Sequence, residues 1–253
     1  MPSWDALRQE LDRWAEAGRP ATFWWRDDDA GPEVPALASL LALRGDLGAP
    51  LALAAVPDRL QDAAAARIAA DPGAEVVQHG LAHANHAPAG EKKAEYGAHR
   101  PVAAMLAELS HGLKTLRARL GGRVQAVLVP PWNRIAAPLA AELGRAGYAG
   151  LSLFGPRRSA PPGLRLVNTH VDIVDWHGGR GFVGEAGALA AAVGHLAARR
   201  EARADAGEAT GLLTHHLVHD AACWGFVRRF VAGVAAHPAA RWVGARELFG
   251  AAA

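Results

Sequence analysis

Five short stretches of this sequence carry residues able to do chemistry: "RDDD" at 26–29, "QHGLAHANH" at 78–86, "PPWNR" at 130–134, "DIVDWHGG" at 172–179 and "THH" at 214–216. In the first, three consecutive carboxylates close an aromatic, β-prone run. Like charges side by side repel one another. Such a cluster is either solvated in a turn or put to use holding a cation or moving protons. In the second stretch His79 and His83 are four apart, so one helical turn or a compact loop can aim both imidazoles at one ion. Gly80 eases a sharp backbone path after His79. His86 is either a third ligand or a partner that orients one.

Two histidines and one carboxylate form a common set for a catalytic divalent metal that keeps positions open for water and substrate. Asp27, Asp28 and Asp29 are the carboxylate candidates, and one left beside the ion can act as general base. Asp27 fits a helix cap or turn equally well. His215 and His216 end a short apolar strand, where either can protonate a leaving group. The diproline fixes the backbone before Trp132 and so its main-chain N–H. Trp132 then reads as a stacking platform for a sugar ring or as core. Asp175 and Trp176 repeat the carboxylate-plus-aromatic theme and are pocket candidates. Cys223, the one cysteine, excludes an internal disulfide and a cysteine-cluster metal site.

Elements that position these residues follow from periodicity. Strand-like runs cover 21–26, 50–56, 74–78, 124–129, 150–154, 165–174, 211–214 and 241–243. Helix-like runs cover 34–43, 58–70, 101–120, 136–146, 185–202 and 219–235. Strands alternating with helices argue for a parallel sheet, and about seven βα units in 253 residues suggest a barrel. An open doubly wound sheet is the alternative, but no G-x-G-x-x-G turn follows the first strand. In a parallel barrel all strand ends meet at one face, so the five stretches converge. The expected class is a single α/β domain, residues 21–253, preceded by a helix in residues 1–20. Trp4, Leu7, Leu11 and Trp14 fall on one face of that helix.

The composition is 51% hydrophobic and 21% charged, which supports a full core and argues against disorder. A formal net charge of +2, with arginines scattered, argues against a nucleic-acid partner. No run of 18 apolar residues appears, so no membrane-spanning segment is expected. Six charged residues by position 18 argue against a signal peptide, and the expectation is a cytoplasmic protein. No G-x-S-x-G elbow marks a serine hydrolase. Nothing in the sequence sets an oligomeric state.

The order of motifs resembles the polysaccharide deacetylase superfamily (carbohydrate esterase family four). It runs from an acidic pair after the first strand through His-x-x-x-His after the third and a diproline-aromatic segment after the fourth to a late strand ending Leu-x-His. The likeness covers roughly residues 21 to 220, with "EVVQHGLAH" its most specific part. It implies a distorted (β/α)7 barrel and metal-dependent hydrolysis of an N-acetyl group on an amino sugar or glycan. Asp29, His79 and His83 would bind the metal, zinc by ligand type, with cobalt, nickel or manganese as alternatives. Asp28 would be the base and His215 the acid, with His216 as its alternative. The family's T-F-D-D-G is aligned on Asp28-Asp29, and a shift of one residue would select Asp27-Asp28. There are two departures. Val129 stands where many members place an arginine that pairs with the base, leaving Arg26 or Arg134 to substitute, and His-His replaces the usual His-Asp.

Overall fold

The computed structural model describes residues 3–250. Strands β1 (Ala21–Ala30), β2 (Leu51–Ala55), β3 (Ala74–His79), β4 (Val124–Val129), β5 (Gly150–Leu151), β6 (Arg165–Leu166), β7 (Val171–Asp172), β8 (Thr210–Thr214) and β9 (Ala240–Trp242) form one parallel sheet. Its order is β6-β5-β4-β3-β2-β1-β8-β7, and β9 pairs with the start of β1. The segment from Arg165 to Ile173 closes the ring. Val167 and Thr169 donate backbone hydrogen bonds to Leu151 and Leu153 on one side. His170 and Ile173 donate to Gly211 and Leu213 on the other. β6 and β7 are thus halves of one interrupted stave, which with β1 to β5 and β8 makes the seven staves of a distorted (β/α)7 barrel. The interruption at residues 167–170 splits the single strand expected over 165–174.

Helices α1 (Trp4–Glu16), α2 (Pro35–Leu47), α3 (Asp62–Ala70), α4 (Val102–Leu120), α5 (Ala137–Glu142), α6 (Glu185–Arg200) and α7 (Ala221–Ala235) surround the sheet, and α8 (Ala245–Phe249) follows β9. The α1 stripe buries Leu7, Leu11 and Trp14, and Trp14 Nε1 donates to the Leu196 carbonyl of α6 at 3.3 Å. Helix α7 starts at Ala221, later than the expected 219, because the Asp220 side chain caps the Cys223 N–H. No helix among the described residues is long and apolar enough to cross a membrane.

The two faces of the staves bury different residues, as the period of two requires. Phe23, Trp25, Leu51, Leu53, Val76 and Leu128 pack outward under the helices. Trp24, Ala52, Ala54, Val77, Val127, Val129 and Val167 fill the barrel, with Phe249 of α8 set edge-on against Trp24 at 5.9 Å. Gly211 on β8, where a Cβ would stand 2.5 Å from Trp24 Nε1, leaves room for the Trp24 indole, whose Nε1 donates to the Asn168 carbonyl at 2.9 Å. Along β1 the inward series continues from Trp24 to Arg26 and Asp28.

Candidate active site

Strand β1 does not stop before its aspartates but runs through them to Ala30. Simple alternation would send Asp28 inward and both Asp27 and Asp29 outward. Asp27 does point outward. It is fully buried, accepts from Thr214 Oγ1 at 2.6 Å and from the His216 N–H at 3.1 Å, and pairs with His216 Nδ1. Asp29 escapes the alternation. The register with β2 shifts between Asp27 and Ala30, and Asp29 takes a left-handed φ of 71°. This bulge turns a second consecutive carboxylate toward the barrel mouth.

There Asp29 Oδ1 lies 3.3 Å from His79 Nε2 and 3.2 Å from His83 Nε2. The three side chains can each offer one ligand atom, all within 4.8 Å of one another. His79 ends β3, and its Nδ1 lies 2.9 Å from the Val129 carbonyl. A carbonyl only accepts, so Nδ1 carries the proton and Nε2 presents a lone pair. His83 sits in a compact loop rather than a helix, at φ 55°. The donor set, the buried Asp29 Oδ1 without a hydrogen-bond partner and the imposed His79 tautomer fit a borderline divalent ion.

The local charges are coupled. Burial works to raise the Asp29 carboxyl, but the neighbouring imidazoles of His79, His215 and His83 outweigh it and hold Asp29 well below the usual range. Burial works to lower His79, yet the Asp28 and Asp29 carboxylates raise it. His83 is lowered by burial and by His79.

Asp28 stands next to this cluster, 2% exposed and gripped by Arg26. Arg26 Nε lies 2.8 Å from Asp28 Oδ1 and Nη2 2.9 Å from Oδ2. The rest of the guanidinium donates to Ser152 Oγ at 2.7 Å, Asn133 Oδ1 at 2.8 Å and the Leu153 carbonyl at 3.3 Å. Arg26 therefore supplies the cation that Val129 cannot. Arg134 does not, because it donates to the Lys93 carbonyl at the surface.

On the far side His215 Nε2 lies 3.9 Å from Asp28 Oδ2, with the His215 ring edge-on to Trp176 at 4.7 Å. His216 is on the opposite face of the sheet with Asp27, so the two adjacent histidines are separated by the barrel wall. Trp132 follows the diproline at φ 58° and meets His83 edge-on at 4.4 Å. Among described non-glycine residues with positive φ, Asp29, His83, Trp132 and Asn133 all lie here, and such strain persists only where surroundings enforce it.

Two further expectations need correction. Asp175 is not a pocket residue, since Oδ1 accepts from the His177 and Gly178 N–H groups and closes its own turn. Asp172 faces the pocket instead. It accepts from Trp176 Nε1 at 2.8 Å, and burial raises its carboxyl despite the nearby charge of His215. His86 is exposed, its N–H bonded to the Ala94 carbonyl, and lies outside the cluster. Sequence reasoning missed Ser152, Asn133 and Glu95. Asn133 alone had a signal, its place in "PPWNR".

No protein-family model matches the chain, and no curated protein matches it. Solved structures do. A protein of Mycobacterium smegmatis described as a polysaccharide deacetylase shares 18% identity, with 90% of this chain and 88% of that chain covered and a TM-score of 0.67. A peptidoglycan deacetylase from Bacillus subtilis shares 14% identity over 90% of each chain at a TM-score of 0.56. A family 4 acetyl xylan esterase from Clostridium thermocellum, solved with a cobalt ion, shares 15% identity over 90% of each chain at 0.54. The chain has the fold of the polysaccharide deacetylases and family 4 carbohydrate esterases.

Proposed function

We propose that this chain is a metal-dependent hydrolase that removes an N-acetyl group from an amino sugar or glycan. The observation that carries the reading is the convergence of Asp29, His79 and His83, with Asp28 on one side of the trio and His215 beside Asp28. Asp29 Oδ1, His79 Nε2 and His83 Nε2 would hold the ion, zinc by ligand type. Cobalt, nickel and manganese are alternatives, and the cobalt in the acetyl xylan esterase supports a divalent ion. When bound, it supplies Lewis acidity toward the acetamide carbonyl and acidifies water.

The side chains then divide the proton work. Asp28 accepts a proton from the attacking water, and the Arg26 fork keeps its carboxylate aimed. The main-chain N–H of Trp132 would donate to the developing oxyanion. His215 gives a proton to the departing amine as the carbon–nitrogen bond breaks, yielding acetate and a free amino sugar. Trp132 and Trp176 would flank the sugar, and Trp176, 40% exposed, offers an open ring face. The test is metal content together with acetate release from N-acetylated sugars, acetylated xylan and soluble N-acyl metabolites. One bound ion and release from the sugars are expected. An Asp29→Asn protein that keeps both metal and activity contradicts the assignment.

A further inference from the structure

Between His79 and His83 the chain makes a tight loop whose backbone N–H groups need acceptors. They converge on one side chain. Ala82 donates to Glu95 Oε1 at 2.9 Å, Ala84 to the same oxygen at 3.5 Å, and Leu81 to both carboxylate oxygens at 3.4 Å. Glu95 is 1% exposed, and no arginine or lysine forms an ion pair with its carboxylate among the described contacts. Its charge is met by backbone dipoles, as in an anion nest.

Gly80 completes the fit. It has φ 61°, and a Cβ there would collide with the Glu95 carboxylate and stand 2.8 Å from Pro131 Cγ. Glycine at this position is therefore demanded by two things at once, the left-handed turn and the space the carboxylate fills. Glu95 is itself fixed on both sides. Ala94 receives the His86 N–H and donates to Asn85 Oδ1, while the Tyr96 carbonyl accepts from Ala136 just beyond the diproline. The loop carrying His83 is thus moulded onto a segment anchored to the β4 end of the site.

We propose that Glu95 is a positioning residue for the metal centre: it sets the path of residues 80–84 so that His83 Nε2 meets Asp29 and His79 Nε2. This assignment rests on the proposed metal site. Replacing the carboxylate by an amide puts an NH2 among three N–H donors, so Glu95→Gln is expected to loosen the loop without emptying its volume.

The test is zinc affinity of the full chain, by competition with a chromophoric chelator, at a temperature where each variant is folded. Glu95→Gln is expected to raise the zinc Kd by about 10- to 100-fold, the usual cost of losing a partner that orients ligands. A Kd within about twofold of wild type overturns the assignment. Amide hydrogen exchange of the metal-free wild-type chain gives a second reading should the variant not fold. The Ala82 N–H is expected to be protected, and exchange at the rate of an open loop overturns the proposal. A wild-type chain that binds no zinc overturns the metal reading itself, which is distinct from an unchanged Kd in Glu95→Gln.

Discussion

Among the described residues, two histidine-histidine-carboxylate clusters are built into this barrel, and only their surroundings tell them apart. Asp29, His79 and His83 sit at the mouth. His170, His195 and Glu208 are buried at the start of β8, beneath α6, with Glu208 fully enclosed. In both, the potential ligand atoms lie within 4.8 Å of one another. The difference lies behind the rings. His79 Nδ1 faces a carbonyl, which leaves Nε2 a bare lone pair. His170 Nδ1 instead accepts from the Gly211 N–H at 3.0 Å, so the neutral ring carries its proton on Nε2, 3.4 Å from Glu208 Oε2. That nitrogen has a hydrogen to offer a carboxylate and no lone pair for a metal. The His170 and His195 rings also stack, 3.4 Å apart and 14° from parallel, so their in-plane lone pairs run side by side. The His79 and His83 rings lie 5.2 Å apart at 54°, an arrangement that lets them converge. A ligand set is defined by tautomer and direction as much as by residue type.

The largest expected break concerns Asp28, the arginine-held carboxylate beside the mouth cluster. Asp28→Asn should cut acetate release by roughly 10²- to 10⁴-fold with metal content unchanged, read by steady-state kinetics and metal analysis. Glu208→Gln at the buried cluster should leave metal content unchanged. Next come the two buried arginines. Arg26→Met strands Asp28 without its cation and should cost about 3–5 kcal/mol in urea unfolding. Arg199 pairs with hydroxyls and carbonyls of Thr22, Thr210 and Ala206 rather than with a carboxylate. Arg199→Met should therefore cost less, and an equal loss would mean that Asp28 is not the dominant partner of Arg26.

The buried cluster should reveal itself through pH. Burial pushes His170 down from 6.5 to about 4, against the pull of Glu208. Between those values the unfolded chain binds a proton that the folded chain refuses, so stability is full above pH 6.5 and falls as pH drops toward 4. His170→Asn should flatten that acid limb by on the order of 2 kcal/mol, measured by urea midpoints across the range. The smallest effect expected is at the rim. Trp176→Ala should raise KM several-fold, about 1 kcal/mol, with kcat nearly unchanged.

Much of this site is legible in the sequence because its residues stand at strand ends, where a parallel barrel gathers them. The helices and the alternating βα pattern follow from periodicity, which suggests a barrel ahead of an open sheet, and the His79–His83 spacing is read directly from the sequence. The orientation within "RDDD" does not. Alternation gives Asp27 and Asp28 their opposite faces, but the bulge that recovers Asp29 depends on a local register shift against β2. Likewise "THH" cannot say which histidine faces inward, since that is settled by the Asp27 side chain waiting behind the wall. Asp175 looked equivalent to Asp172, and their separation comes from a turn that Asp175 closes with its own loop. Glu95 was invisible because its partners are backbone amides, which leave no residue pattern.

Metal stoichiometry in three full-length proteins tests the contrast between the clusters most directly. Wild type, His79→Ala and His170→Asn would be dialysed against zinc and analysed by elemental mass spectrometry. One zinc per chain is expected in wild type and in His170→Asn, and none in His79→Ala. Two zinc ions in wild type, or zinc kept by His79→Ala and lost from His170→Asn, would contradict the assignment.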